Sequence, residues 1–189
     1  QGFWFAIGEG KVNEFSVYSA TLDEFVSGNF SSIKKSTGWK NYILGVIDQF
    51  IQKGFSLKGF HAVFGGDLPV GSGLSSSAAL ECGLAVALND FNSFHISKKD
   101  IAFMCQKAEH TFPGMQCGIM DQYASMFGEK ETILLLDCLH IESKKIKFPL
   151  SKFQIVLFNS NVKHALEDGA YNTRRTQGEE GLSIIKKKF

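Results

Sequence analysis

The sequence predicts an α+β fold, and three observations carry that prediction. Stretches with the period-two alternation of strands occur beside stretches with the three-and-four spacing of helices. The two kinds follow one another irregularly, not as a strict βαβ series. The chain also has the material for a packed core: 189 residues, 44% of them hydrophobic and 13% aromatic, with 18 Phe. A chain of this length buries about 70% of its unfolded surface without help from disulfides or metals. It has room for one domain and the start of a second.

The elements follow in order. Residues 3–7 are aromatic and β-prone and predict a strand. Residues 12–18 predict another, with Phe15 and Val17 two apart. Residues 29–38 are rich in Ser, Lys and Gly and read as a loop. Trp39, Tyr42, Ile43, Val46, Ile47 and Phe50 recur at helical spacing, and Gly54 stops that helix. Residues 57–64 alternate as a strand with Phe60, Ala62 and Phe64 on one face. A loop over residues 65–73 leads to Ser75, which opens a long apolar helix to about Phe91. Ser97 is a good N-cap for a helix over 98–110, with Asp100 completing a capping box. Pro113 and Gly114 force a turn, and residues 117–127 form a shorter helix ending at Gly128. Strands are predicted over 132–137 and 153–158. Residues 167–187 pass from a polar segment into a helix whose end carries Lys186, Lys187 and Lys188, the charge that suits a helix C-terminus.

Composition narrows the function. A net charge of +1 lacks the basic excess of a nucleic-acid-binding module. No apolar run approaches the ~18 residues of a membrane span. The opening Gln-Gly-Phe-Trp-Phe-Ala-Ile has no basic region and no small-residue cleavage site, so it is not read as a signal peptide. Cys82, Cys105, Cys117 and Cys138 stand singly, without a Cys-x-x-Cys pair. Reduced thiols in a cytoplasmic protein are the expectation.

The most informative stretch is Pro69-Val70-Gly71-Ser72-Gly73-Leu74-Ser75-Ser76-Ser77-Ala78. Its glycines admit positive φ and close backbone approach to a ligand. Its serines cap the following helix and leave the first N–H groups pointing outward, which makes an anion site. No Lys follows the second glycine, so it is not a Walker A loop. The third glycine of the dinucleotide fingerprint is missing as well. An ordinary Gly/Ser loop capping a buried helix fits the same residues. A second constellation pairs Glu109 with Gly118-Ile119-Met120-Asp121-Gln122. Carboxylates at the end of one helix and the start of the next can face one site. There one can hold Mg²⁺ beside phosphate oxygens and the other can address a substrate hydroxyl. Two solvated helix-end charges are the alternative.

Together these segments resemble the galactokinases of the GHMP kinase superfamily. The loop matches that superfamily's phosphate-binding loop. Cys117-Gly118-Ile119-Met120-Asp121-Gln122, Trp39-Lys40-Asn41-Tyr42 and Tyr171-Asn172-Thr173-Arg174-Arg175 match galactokinase segments, in the family's order. The resemblance implies a mixed sheet packed with helices, as in the GHMP N-terminal lobe. Residues 1–160 are expected to be that ATP-binding lobe, incomplete at its start, and 161–189 the beginning of a connection toward a C-terminal lobe. The implied activity is transfer of the ATP γ-phosphate to the C1 hydroxyl of α-D-galactose. Gly71, Ser72, Gly73, Leu74, Ser75, Ser76 and Ser77 are implied to wrap the ATP phosphates, with Trp39 and Tyr42 beside the adenine. For Tyr42, core packing on an amphipathic helix is an equal reading. Ser77 and Glu109 match the Mg²⁺ ligands. Asp121 matches the aspartate at the sugar hydroxyl, as base or as electrostatic guide, and Tyr171 a sugar contact. Arg174 and Arg175 are read as helix surface or inter-lobe pairing, and Gln116 receives no role. The family's N-terminal sugar signature and its third, glycine-rich motif fall outside these residues, so the chain by itself is expected to be inactive. Two alternatives remain: a sugar- and ATP-binding sensor without catalysis, and a related kinase acting on N-acetylgalactosamine. No nucleic-acid or membrane partner is expected.

Overall fold

The structure is a computed structural model, and it describes residues 1–69, 73–149, 155–158 and 169–188. Strand β1 (Phe3–Glu9) is followed by the hairpin β2 (Glu14–Ser19) and β3 (Glu24–Asn29). A 3₁₀ turn, Phe30–Ser32, leads toward helix α1 (Lys40–Gln52) and strand β4 (Phe60–Gly66). Three helices then run in sequence: α2 (Ser76–Asn92), α3 (Lys98–Thr111) and α4 (Met120–Phe127). A second hairpin, β5 (Thr132–Asp137) with β6 (Glu142–Lys147), precedes α5 (Ala170–Lys188).

The main sheet has the order β1-β4-β2-β3. It is mixed, because β4 lies antiparallel to β1 and parallel to β2. Alternation decides which face is buried. Phe15 and Val17 of β2 align with Phe60 and Ala62 of β4, and all four point into the core. Ser16, Tyr18, His61 and Val63 face the other way. The helices cover the inward face, where Ile43, Ile47 and Phe50 of α1, Leu84 and Leu88 of α2 and Ile101 of α3 are fully buried. Stacked rings bind the sheet to its flanking turn, with Phe15 against Phe30 and Phe60 at 5.8 and 6.1 Å.

The α+β class and the positions of α1, α2 and α3 agree with the sequence reading, whereas α4, expected from Cys117, begins at Met120. Ser97 caps α3 as expected, its Oγ accepting the Asp100 N–H at 3.1 Å. Several local differences have physical causes. The strand expected from Leu57 begins at Phe60, because Gly59 first crosses the chain at Gly10, whose N–H donates to the Gly59 carbonyl at 2.8 Å. A Cβ on Gly59 would lie 1.8 Å from the Lys11 carbonyl oxygen, so only glycine allows this crossing. Gly65 and Gly66, expected in a loop, still pair with Trp4 and Phe3. Strands β3 and β6 were not expected; each pairs along its whole length with the strand before it. Of the strand predicted over 153–158, residues 155–158 carry no strand and the remainder lie outside the described residues.

Candidate active site

The loop before α2 is described from Gly73 onward; Gly71 and Ser72 lie outside the described residues. Gly73 has φ +78°, the left-handed conformation for which glycine is suited. Ser75, at the N-cap position, is also left-handed, with φ +51° and ψ +43°. This corrects one expectation. A capping serine normally takes extended backbone so that its oxygen reaches the N2 or N3 amide. Ser75 makes no such side-chain cap bond. The amides at the start of α2 therefore lack a cap from Ser75, which is what an anion site at a helix N-terminus requires. Leu74, Ser75, Ser76 and Ser77 are half-buried along this turn.

The Glu109 carboxylate, on the last turns of α3, is the centre of the site and is only 4% exposed. Its Oε2 accepts from Gln122 Nε2 at 2.6 Å and from Cys117 Sγ at 3.5 Å. The Ser77 hydroxyl also hydrogen-bonds this carboxylate, and Asp121 lies near enough to act on it electrostatically. Burial pushes the Glu109 carboxyl above the ordinary glutamate range, and the Asp121 charge adds to that. Hydrogen bonds from Cys117, Ser77 and Gln122 oppose the rise. Thus three residues from three segments (Ser77, Glu109 and Asp121) converge, and the reading of Glu109 as a solvated helix-end charge does not hold.

The donor set decides what could bind. Among the described residues no cluster of three or more His, Cys, Asp or Glu forms a metal cage. A hydroxyl and a carboxylate beside the turn that opens α2 are hard oxygen donors. They suit Mg²⁺, which keeps waters and takes substrate phosphates to complete its shell. Ser77 and Glu109 are the residues that would hold it.

Helix α5 reaches this site. The Tyr171 hydroxyl accepts the Gly118 N–H at 3.3 Å, three residues before Asp121. Asn172 brackets the preceding loop, its Oδ1 accepting from Gln116 N at 2.9 Å and its Nδ2 donating to the Gly114 carbonyl at 2.8 Å. Arg175 donates from Nη1 to the Gln116 carbonyl at 2.8 Å and from Nε to Glu179 at 2.9 Å. The surface reading of Arg175 is therefore incomplete, and Gln116 and Asn172 were missed. Trp39 and Tyr42 pack against the core from the side. The Trp39 ring meets Phe64 edge-on at 5.4 Å, and its Nε1 donates to Glu24 at 3.1 Å.

Two more residues escaped the sequence reading. Glu81 of α2 and Gln122 of α4 are wholly buried. Gln122 Nε2 lies 3.5 Å from Glu81 Oε2. Burial, with Glu109 and Cys82 beside it, pushes the Glu81 carboxyl well above the usual range. A signal was available in the sequence: Glu81 is the only charged residue of the run Ala78-Ala79-Leu80-Glu81-Cys82-Gly83-Leu84. Burial also raises the Cys117 thiol, to about 12.

The chain resembles known proteins along most of its length. Residues 41–129 match the model of the GHMP kinases N terminal domain. The galactokinase of Clostridium tetani is 40% identical over 180 residues, which cover 94% of this chain and 46% of that protein. The galactokinase of Thermosipho africanus is 38% identical, with 93% and 49% covered. The chain thus spans about half the length of the curated relatives it matches. The crystal structure of Lactococcus lactis galactokinase complexed with galactose superimposes with a TM-score of 0.86 at 27% identity, over 100% of this chain and 50% of that one. The mevalonate kinase of Methanococcus jannaschii shares the fold, with a TM-score of 0.62 at 22% identity over 79% of this chain and 47% of that one. These matches agree on one resemblance: residues 41–129 match the GHMP kinases N terminal domain, and the chain is similar to about half the length of the galactokinases it aligns with.

Proposed function

We propose that the protein is part of an ATP-dependent sugar 1-kinase that phosphorylates α-D-galactose at its C1 hydroxyl. The observation that carries this reading is the convergence of Ser77 and Asp121 on buried Glu109 beside the uncapped start of α2. In this reading residues 71–77 and the first amides of α2 hold the ATP phosphates. Ser77 and Glu109 would hold Mg²⁺, which would supply neutralisation of charge on the transferring phosphate. Trp39 and Tyr42 flank the adenine. Asp121 accepts a hydrogen bond from the C1 hydroxyl and orients its oxygen toward the γ-phosphorus. Positioning is most of what such a reaction needs from protein. Tyr171 lies beside the sugar and, through Gly118, steadies the turn that leads to Asp121. The buried, unpaired thiols Cys82 and Cys105 suit a reducing cytoplasm.

In the same reading residues 1–160 form the ATP-binding lobe and the stretch from 161 begins the path to a second lobe. The 189 residues align with about half of each relative, and by themselves they should turn over no more than traces of galactose. The test replaces the aligned region of the Clostridium tetani relative with this chain, so that the flanking segments on both sides are supplied, and follows galactose-dependent ADP release. Release that disappears in Asp121→Ala, with ATP binding retained, is the expected result. Turnover of Asp121→Ala within tenfold of the unmutated protein would refute the role of Asp121.

A further inference from the structure

We propose that Gln122, backed by Glu81, is the positioning residue that holds the Glu109 carboxylate in the orientation needed to bind the divalent metal of the nucleotide. The inference rests on the reading of Glu109 as a metal ligand. It is carried by a buried polar cluster at the meeting point of α2, α3 and α4. Gln122 contributes one amide nitrogen that lies between two carboxyl groups. It is 2.6 Å from Glu109 Oε2 and 3.5 Å from Glu81 Oε2. The NH₂ end of the amide faces Glu109, since an ionised carboxylate offers only acceptors. Cys117 Sγ adds a second donor to the same Glu109 oxygen at 3.5 Å. Both donors meet the same Oε2, Gln122 from the buried side and Cys117 from a half-buried position.

The cluster is an unfavourable arrangement for stability alone. Gln122 Oε1 and Glu81 Oε1 are buried with no hydrogen-bond partner among the described residues. Orphaned buried acceptors are destabilising, and apolar side chains of similar shape would fill this three-helix junction without them. The amide is therefore explained by what it does to Glu109. A glutamate has three rotatable bonds, whereas Mg²⁺ tolerates little deviation from octahedral geometry. Partners that orient a ligating carboxylate are worth about 10–100-fold in metal affinity. Gln122 is also anchored at its backbone, where its carbonyl accepts from Cys82 Sγ at 3.7 Å. Its position therefore follows α2 as well as α4.

The experiment is a Mn²⁺ titration of the protein with ATP present, read by the electron paramagnetic resonance signal of free Mn²⁺. Metal-free ATP affinity and the unfolding midpoint are measured on the same samples. Gln122→Met keeps the volume and removes the donor; it should weaken Mn²⁺ binding about 10–100-fold while metal-free ATP affinity holds. Glu81→Gln keeps an oxygen facing Gln122 and should stay within about threefold of the unmutated protein. Glu109→Gln serves as the reference. If it weakens Mn²⁺ binding while Gln122→Met stays within twofold, Glu109 is a ligand that needs no positioning, and the proposal falls alone. It falls in the same way if Gln122→Met lowers only the unfolding midpoint. If Glu109→Gln leaves Mn²⁺ affinity unchanged, the ligand reading fails and takes the proposal with it. Should Gln122→Met not fold, Cys117→Ala removes the other donor from a half-buried site. A loss of about threefold or more supports the proposal, and unchanged affinity overturns it.

Discussion

Gly83 lies on α2 directly beneath the ring of Phe5. A Cβ added there would stand 2.3 Å from Phe5 Cε2, 2.9 Å from Cδ2 and 3.2 Å from Cζ. Ordinary contact begins at 3.4 Å, so Gly83→Ala requires the ring or the helix to retreat by roughly 1 Å. The ring is not free to do so, because it stacks on Phe64 at 5.5 Å. Phe64 is itself buried between Phe3 and Trp39, at 5.8 and 5.4 Å. Overpacking of this kind costs about 1–3 kcal/mol. Removing a helical glycine returns about 1 kcal/mol. The net expectation is a loss of about 0–2 kcal/mol, or up to about 8 °C in melting temperature at 2–4 °C per kcal/mol. Gly178→Ala is the control. Gly178 is exposed on α5 with no atom within 4 Å of the added methyl, so the same change should stabilise that helix by about 1 kcal/mol. Thermal and urea unfolding of both variants measure the difference. If Gly83→Ala stabilises as much as Gly178→Ala, α2 does not approach β1 as closely as described, and the ring contact does not limit the residue at 83.

Three further outcomes are expected. Because burial raises the Glu81 carboxyl, the folded state keeps its proton where the unfolded chain has lost it, so stability falls as pH rises above 4.5 toward the folded-state value. Glu81→Gln should make urea-unfolding stability less dependent on pH above 4.5, with Glu109 retaining part of the slope; a slope unchanged from the parent would contradict a raised Glu81 carboxyl. With its thiol near 12, about one Cys117 in ten thousand is thiolate at pH 8, so iodoacetamide should label exposed Cys138 first and leave Cys117 intact; comparable peptide-level labelling would refute this. Asn172→Ala removes both bonds of the bracket on the loop at 114–116 and should speed exchange of the Gln116 amide by roughly tenfold, whereas unchanged protection would show that α5 does not hold the loop.

The parts of the fold legible in the sequence are those where burial imposes a period. Helix α1 shows its core face from Ile43 to Phe50, and β4 shows Phe60, Ala62 and Phe64. Strands β3 and β6 were not legible because pairing, not burial, makes them. In β3 only Val26 is buried, and every residue of β6 is exposed. Their order comes from neighbours that no local pattern reveals. The site divides in the same way. Ser77, Glu109 and Asp121 could be named from motif resemblance, and the structure adds their convergence. Glu81 and Gln122 act by contacts across three helices, and Asn172 by reaching a loop 56 residues earlier. Spacing within one segment cannot show such links. Ser75 illustrates the opposite error: a residue type suited to capping takes a left-handed conformation, two residues after left-handed Gly73, and makes no side-chain cap bond.

The pairing of β1 with β4 has a consequence for how the chain is made. Phe3 meets Gly66 and Glu9 meets Phe60, so during synthesis β1 lacks this partner until α1 and β4 have followed it. At about 5–20 residues per second, that wait lasts roughly 3–12 s. Throughout it Phe3, Phe5 and Ile7 present an open strand edge and three apolar side chains to the cell. The β2–β3 hairpin, closed by the short turn at 20–23, can form meanwhile, but the sheet zips only from β4 outward. Nascent β1 is therefore the segment on which a holding chaperone would act, and slowing synthesis just before residue 60 would lengthen its exposure.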